Sequence, residues 1–137
     1  MDEIGAEAVL ARALVAQGRT SDAQKEIDRA TSLAGKVQNR PVRFELALSA
    51  DRVLAASGRS SEAIRNLGVL LTEASKSGYL GYQFQARLAV GEIEMKSGHT
   101  AAGRTRLEAL ERDAKAKGFA LIARQAARAV TRRPAPM

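Results

Sequence analysis

The chain has 137 residues, no cysteine and one histidine; 45% of its residues are hydrophobic but only 4% aromatic, and its formal net charge is +7. That length makes one ordinary domain with a core built mainly from Ala, Leu, Val and Ile, and the missing cysteines exclude disulfides, thiol catalysis and cysteine-ligated zinc and fit a cytoplasmic protein. Residues 1–68 hold ten Lys or Arg against nine Asp or Glu (+1) and residues 69–137 hold twelve against six (+6), an excess that suits an acidic partner but also an ordinary solvated helix surface.

The opening MDEIGAEAVLARALV begins with acids and is interrupted by Glu7 and Arg12, so it is a poor secretion signal. No later stretch approaches the roughly 18 uncharged apolar residues of a membrane span. The first repeat starts abruptly at the Met, as if cut from something longer. This segment reads as a helix over about 3–17, and AQGRTSDA at 16–23 ends it. The same phrase returns as ASGRSSEA at 56–63 and KSGHTAAG at 96–103, so that Gly18, Gly58 and Gly98 are evenly spaced. Their interval of forty positions falls within the period of roughly 20 to 50 residues that marks a repeat array. Each glycine suits the left-handed end of one helix, and Thr20, Ser60 and Thr100 suit the N-cap of the next. The following helices carry Ala23, Ile27 and Ala30, then Ala63, Leu67 and Leu70, then Gly103, Leu107 and Leu110, at spacings of four and three that share a face.

A weaker punctuation divides each unit. Pro41 suits a first helical turn, and SGY at 77–79 and KGF at 117–119 each set a glycine before an aromatic. Helices are thus expected at about 3–17, 20–37, 41–57, 60–77, 79–97, 100–117 and 119–131. VRFELAL at 42–48 and LGYQF at 80–84 alternate like half-buried strands. Both run without a turn signal into helix-forming SADRVLAA and QARLAVGEIEM, so helix is expected there as well.

Gly18, Ala23, Ile27 and Ala30, a turn glycine followed by a small residue, a large one four later and a small one three after that, resemble the tetratricopeptide repeat. The resemblance covers about residues 5–117. GFALIARQA at 118–126 resembles the end of repeat tails on large bacterial signalling proteins, serine/threonine kinases and transcription regulators among them. The 40-residue unit exceeds the family's usual length of about 34, which implies helices longer by about a turn. The resemblance implies an all-α, right-handed superhelical array of three helix pairs, at about 3–37, 41–77 and 79–117, with a capping helix at 119–131. It implies one domain over 1–132, leaving 133–137 as a flexible tail. It also implies a concave groove lined by the first helix of each pair. By register Arg12, Arg52 and Glu92 are equivalent there, with Arg19, Glu45, Arg59, Met95 and Lys96 as neighbours. Arg12 and Arg52 together suit an acidic side chain or terminal carboxylate. Asp51 stands where Ala11 and Gly91 keep the helices in contact; it needs a basic or hydroxyl partner on an adjacent helix, unless the register is off by one residue.

Catalytic motifs are missing. His99 lies in a turn, and there is no glycine-rich phosphate loop, nucleophile elbow or HExxH. The carboxylates of Glu108, Glu111 and Asp113 each precede Arg112, Lys115 and Lys117 by four residues, a spacing that supports an exposed helix face. Arg124, Arg128 and Arg132, four apart and flanked by Arg133, form a basic stripe that could track phosphates or belong to a capping helix. The expectation is a non-catalytic scaffold without cofactor or metal that binds a peptide or partner domain, of acidic chemistry, in its groove. It would serve as a regulatory region of a bacterial signalling protein. The alternative is binding of nucleic acid or an anionic surface through the basic second half.

Overall fold

The computed structural model describes residues 3–34 and 39–131, with side chains over 9–33 and 39–131. Among the described residues every regular element is an α-helix: α1 Glu3–Ala16, α2 Thr20–Ala34, α3 Arg40–Ala56, α4 Ser60–Lys76, α5 Leu80–Lys96, α6 Thr100–Ala116 and α7 Ala120–Thr131. Residues 35–37, expected to close α2, and the tail at 133–137 lie outside the described residues. The alternating stretches at 42–48 and 80–84 are helical. Their helices bury Phe44, Leu46, Leu48 and Val53 in α3, and Phe84, Ala86, Leu88, Val90 and Ile93 in α5. A helix buried on more than one side loses its 3.6-residue amphipathic period, and a short window of it imitates alternation.

The turns follow from backbone chemistry. At the end of α1 the Gly18 N–H donates to the Val15 carbonyl at 2.9 Å and the Arg19 N–H to the Leu14 carbonyl at 2.8 Å, a Schellman closure that needs positive φ at its glycine (76°). The same closure recurs at Gly58, Gly78 and Gly118, and the glycines at 58, 78, 98 and 118 share that conformation. SGY and KGF therefore share the left-handed glycine of the three longer phrases, and from Gly58 onward these glycines are evenly spaced. The expected hydroxyl caps are corrected. Thr20, Ser60 and Thr100 are the first helical residues, and the carbonyls of Arg19, Arg59 and His99 accept the first helical bonds. In so tight a turn the residue after the glycine already serves as the next cap. Asp22 and Glu62 in the first turns of α2 and α4 then face the positive ends of those helices. Only α3, which begins at Arg40, has a described side-chain cap: Asn39 Oδ1 accepts from the Val42 N–H at 3.1 Å, one residue beyond Pro41.

The chain forms two compact units, residues 1–66 and 67–137, with α4 contributing to each. In the first, α1 packs on α2 and both pack on α3. Its core joins Ala11 and Leu14 of α1, Ala23, Ile27 and Ala30 of α2, and Leu46 and Val53 of α3. In the second, α5, α6 and α7 pack in the same pattern. Phe84 and Leu88 of α5 share a core with Leu107, Leu110 and Ala114 of α6 and with Ile122, Ala123, Ala126 and Ala129 of α7. The Phe84 and Phe119 rings meet edge to face with centroids 5.1 Å apart. Every residue of the three apolar faces read on α2, α4 and α6 is buried.

At the α5–α6 contact the two helices approach closely. A methyl group at Gly103 would lie 3.0 Å from the Gly91 carbonyl oxygen and 3.0 Å from the Met95 nitrogen, and one at Gly91 would lie 2.6 Å from Leu107. In the first unit the same two register positions are Ala11 and Ala23, both fully buried. Gly103→Ala should therefore lower the melting temperature, because backbone must move to admit the methyl at a cost of about 1–3 kcal/mol. That exceeds the roughly 1 kcal/mol that alanine gains over glycine within a helix. A thermal melt that rises instead would show that α5 and α6 are less closely packed than described.

Candidate functional site

The expected groove residues fall into three environments. On the first unit, the Arg12 guanidinium of α1 donates to Glu45 Oε1 of α3 at 2.9 Å, with the two side chains 39% and 29% exposed. This ion pair joins the first helices of two successive pairs, and both of its members were expected on the groove. Arg52 follows Glu45 by seven residues, two turns along the same side of α3, so the row reads cation, anion, cation. A carboxylate from the chain itself already occupies Arg12. Arg19 and Arg59 do not join this row: each pairs within its own turn, with Asp22 and Glu62 respectively.

On the second unit, Glu92 is half-buried on α5 and Lys96 is exposed at its last residue. Met95, expected to face a ligand, packs against the core of α5, α6 and α7, because its register position lies beside the close contact at Gly103. Two ionic contacts here involve residues that the repeat pattern did not single out. Arg106 of α6 donates through Nε to the buried Glu94 at 2.7 Å. Arg87 of α5 pairs with Asp113 at 2.8 Å while its guanidinium lies 5.7 Å from the centroid of the Phe84 ring. Asp113 thus reaches across to the neighbouring helix, whereas Glu111 pairs with Lys115 as its spacing implied. Arg87 and Arg106 flank an open depression floored by Ala101, Ala102, Thr105 and Ala109. Both arginines already hold carboxylates, which leaves this depression little net charge.

Asp51 is buried on α3, as its register position requires. Its partner is neither basic nor a hydroxyl: the Asn66 amide of α4 donates to Asp51 Oδ1 at 3.2 Å. Burial pushes the carboxyl up to about 6, the Asn66 hydrogen bond acts against that rise, and the charge of Glu62 adds to it.

Arg124 and Arg128 are exposed on α7, and Arg132 and Arg133 lie outside the described residues. His99 is exposed in its turn, with Nδ1 3.2 Å from Ser97 Oγ. Among the described residues no group of three or more His, Asp or Glu side chains is placed to hold a metal ion, and no helix is long and apolar enough to cross a membrane. A scan against protein-family models and searches among curated proteins and solved structures gave no match to this chain.

The Asp51 geometry predicts a pH dependence. Its folded carboxyl titrates near 6 against an ordinary value of 3.8, so folding favours the protonated form. The stability it permits is fully present below about pH 4 and is lost as the pH rises through about 6, to the extent of roughly 3 kcal/mol at most. Asp51→Asn should flatten the melting temperature over that window and raise it at pH 7. Asp51→Ala should also stabilise at pH 7, since the exposed Asn66 amide can turn to water. Parallel melts of parent and variant that stay equally spaced from pH 4 to 7 would show that Asp51 keeps its ordinary titration.

Proposed function

We propose that this chain is a non-catalytic protein–protein interaction scaffold. Its fold is a tetratricopeptide-like, right-handed superhelical array of three helix pairs and a capping helix, and it binds an acidic peptide or partner domain along the first helices of its pairs. The observation that carries this reading is the Arg12–Glu45 pair. It bridges α1 and α3, is partly open to solvent, and continues along α3 to Arg52. The Arg12 guanidinium already donates to a carboxylate offered by another helix, and an incoming acidic side chain or C-terminus exchanges with Glu45 for it. Guanidinium forks fit such a ligand better than point charges do. The regular turns and the buried small-residue faces support the stacked-hairpin reading. The resemblance to repeat tails of bacterial signalling proteins supports a regulatory role, in which the chain brings partners together in the cytoplasm.

Short acidic peptides with free and with amidated C-termini, labelled for fluorescence anisotropy, test this reading. The replacement Arg12→Ala with Arg52→Ala should weaken peptide binding by about tenfold, or 1.4 kcal/mol. It should cost the fold little, because a partly exposed ion pair contributes at most about 1 kcal/mol. Unchanged peptide binding in that variant would overturn the reading. If Arg124→Ala with Arg128→Ala abolishes binding instead, and a DNA or RNA probe binds with an affinity falling linearly in log salt, the anionic-surface alternative stands in its place.

A further inference from the structure

On α3 and α7 one side faces the preceding hairpin of the same unit, and the 40-residue register makes those two sides equivalent. On α7 that side is Ile122, Ala126, Ala129 and Val130, which share a core with α5 and α6. On α3 it includes Val42, Leu46 and Ala50, which share a core with α1 and α2. In both units the covering element is the hairpin immediately before it in the chain. Followed back through the register to α1, the position of Val130 and Ala50 becomes Leu10, and the position of Ala129 becomes Val9. Leu10 and Val9 are 45% and 44% exposed, whereas their counterparts on α5, Val90 and Ala89, are 5% and 0% exposed. Ala13, one turn from Val9, is exposed too, while its counterparts Val53 and Ile93 are buried.

We infer that this side of α1 is a docking face for a partner helical hairpin built like α5–α6, presenting large apolar side chains at the positions of Phe84 and Leu88. The face continues, one register unit earlier, the interface by which α1 and α2 cover α3 and by which α5 and α6 cover α7. In the second unit Phe84 and Leu88 are what α5 brings to that interface. A second copy of this chain does not offer them through its last helix. The register positions of Phe84 and Leu88 on α7 are Arg124 and Arg128, both exposed, and burying two unpaired guanidinium groups against Val9 and Leu10 is costly. Arginine at these positions gives α7 a polar outer surface, and α1 carries no charged residue at Val9, Leu10 or Ala13. The face adjoins the Arg12–Glu45 row but does not depend on it, and it stands whether or not that row binds a peptide.

The test extends the full chain. Fusing a copy of residues 79–120 directly before Met1 keeps the 40-residue register and sets an α5–α6 hairpin against α1. Amide hydrogen exchange within α1 should slow by about tenfold or more relative to the parent, as local opening is suppressed, and the melting temperature should rise. The same fusion carrying Phe84→Arg and Leu88→Arg in the added copy should lose both effects, as should Val9→Lys with Leu10→Lys in the original α1. Unchanged α1 exchange in the first fusion, or equal slowing with the arginine-bearing copy, would overturn the inference. So would a concentration-dependent dimer of the unfused parent in sedimentation that Leu10→Lys dissolves, since a second copy would then be the occupant.

Discussion

A glycine in the left-handed conformation, closing α1, α3, α4, α5 and α6, is the constraint on which the rest of this molecule depends. With a side chain there, positive φ is strained, and the bond from the residue after Gly18 back to Leu14 would have to be made at that cost. The helices α3 to α6 are each 17 residues long and the same short turn separates each from the next, so equivalent positions recur at one constant interval. A lengthened or shortened helix would rotate every later side chain around its axis by about 100° per residue. The apolar faces of α2, α4 and α6 would then leave their neighbours. Local backbone chemistry thereby sets which side chains are buried, and through them which charges remain outside.

Within that frame the departures from equivalence carry the chemistry. The position held by Ala11 and Gly91 is a helix contact; filling it with Asp51 forces a carboxyl into the protein, answered only by an amide. The position held by Phe44 and Phe84 is apolar; filling it with Arg124 turns an inner surface into an outer one. Arg12 and Arg52 stay equivalent, and the partly open pair with Glu45 that lies between them along the fold is the feature on which the proposed ligand surface rests.

The helices were legible because their signals are local and repeated. Glycine, the residue after it and the four-and-three spacing of Ala23, Ile27 and Ala30 fix turn and buried face without reference to distant residues. The caps fall one residue earlier than the hydroxyls suggest, because a hydroxyl two places after the glycine satisfies the usual signature although the tighter closure leaves it no capping role. The ionic contacts were legible only where they fall within one helix or repeat with the register. Glu111 and Lys115 meet that condition. Arg106 and Glu94 do not: their register equivalents are Asn66 with Leu54 and Glu26 with Leu14, so no repeated pair announced them. Arg87 could reach either Asp113 or solvent, and which it takes depends on the separation of α5 and α6, which two glycines set. Arg12 and Glu45 were both expected on one surface, but their mutual bond depends on the spacing of α1 and α3.

The claim at the centre of this account is that the chain is built from interchangeable 40-residue hairpins. It is tested most directly by removing one of them. A deletion of residues 41–80 joins Arg40 to Gly81 in register, and a deletion of residues 41–78 joins the same segments two residues out of register. The first shortened chain should melt cooperatively, with helical circular dichroism per residue close to the parent's, while the second should not. If both deletions melt without a cooperative transition, or both melt equally well, the 40-residue register is not what holds the structure together.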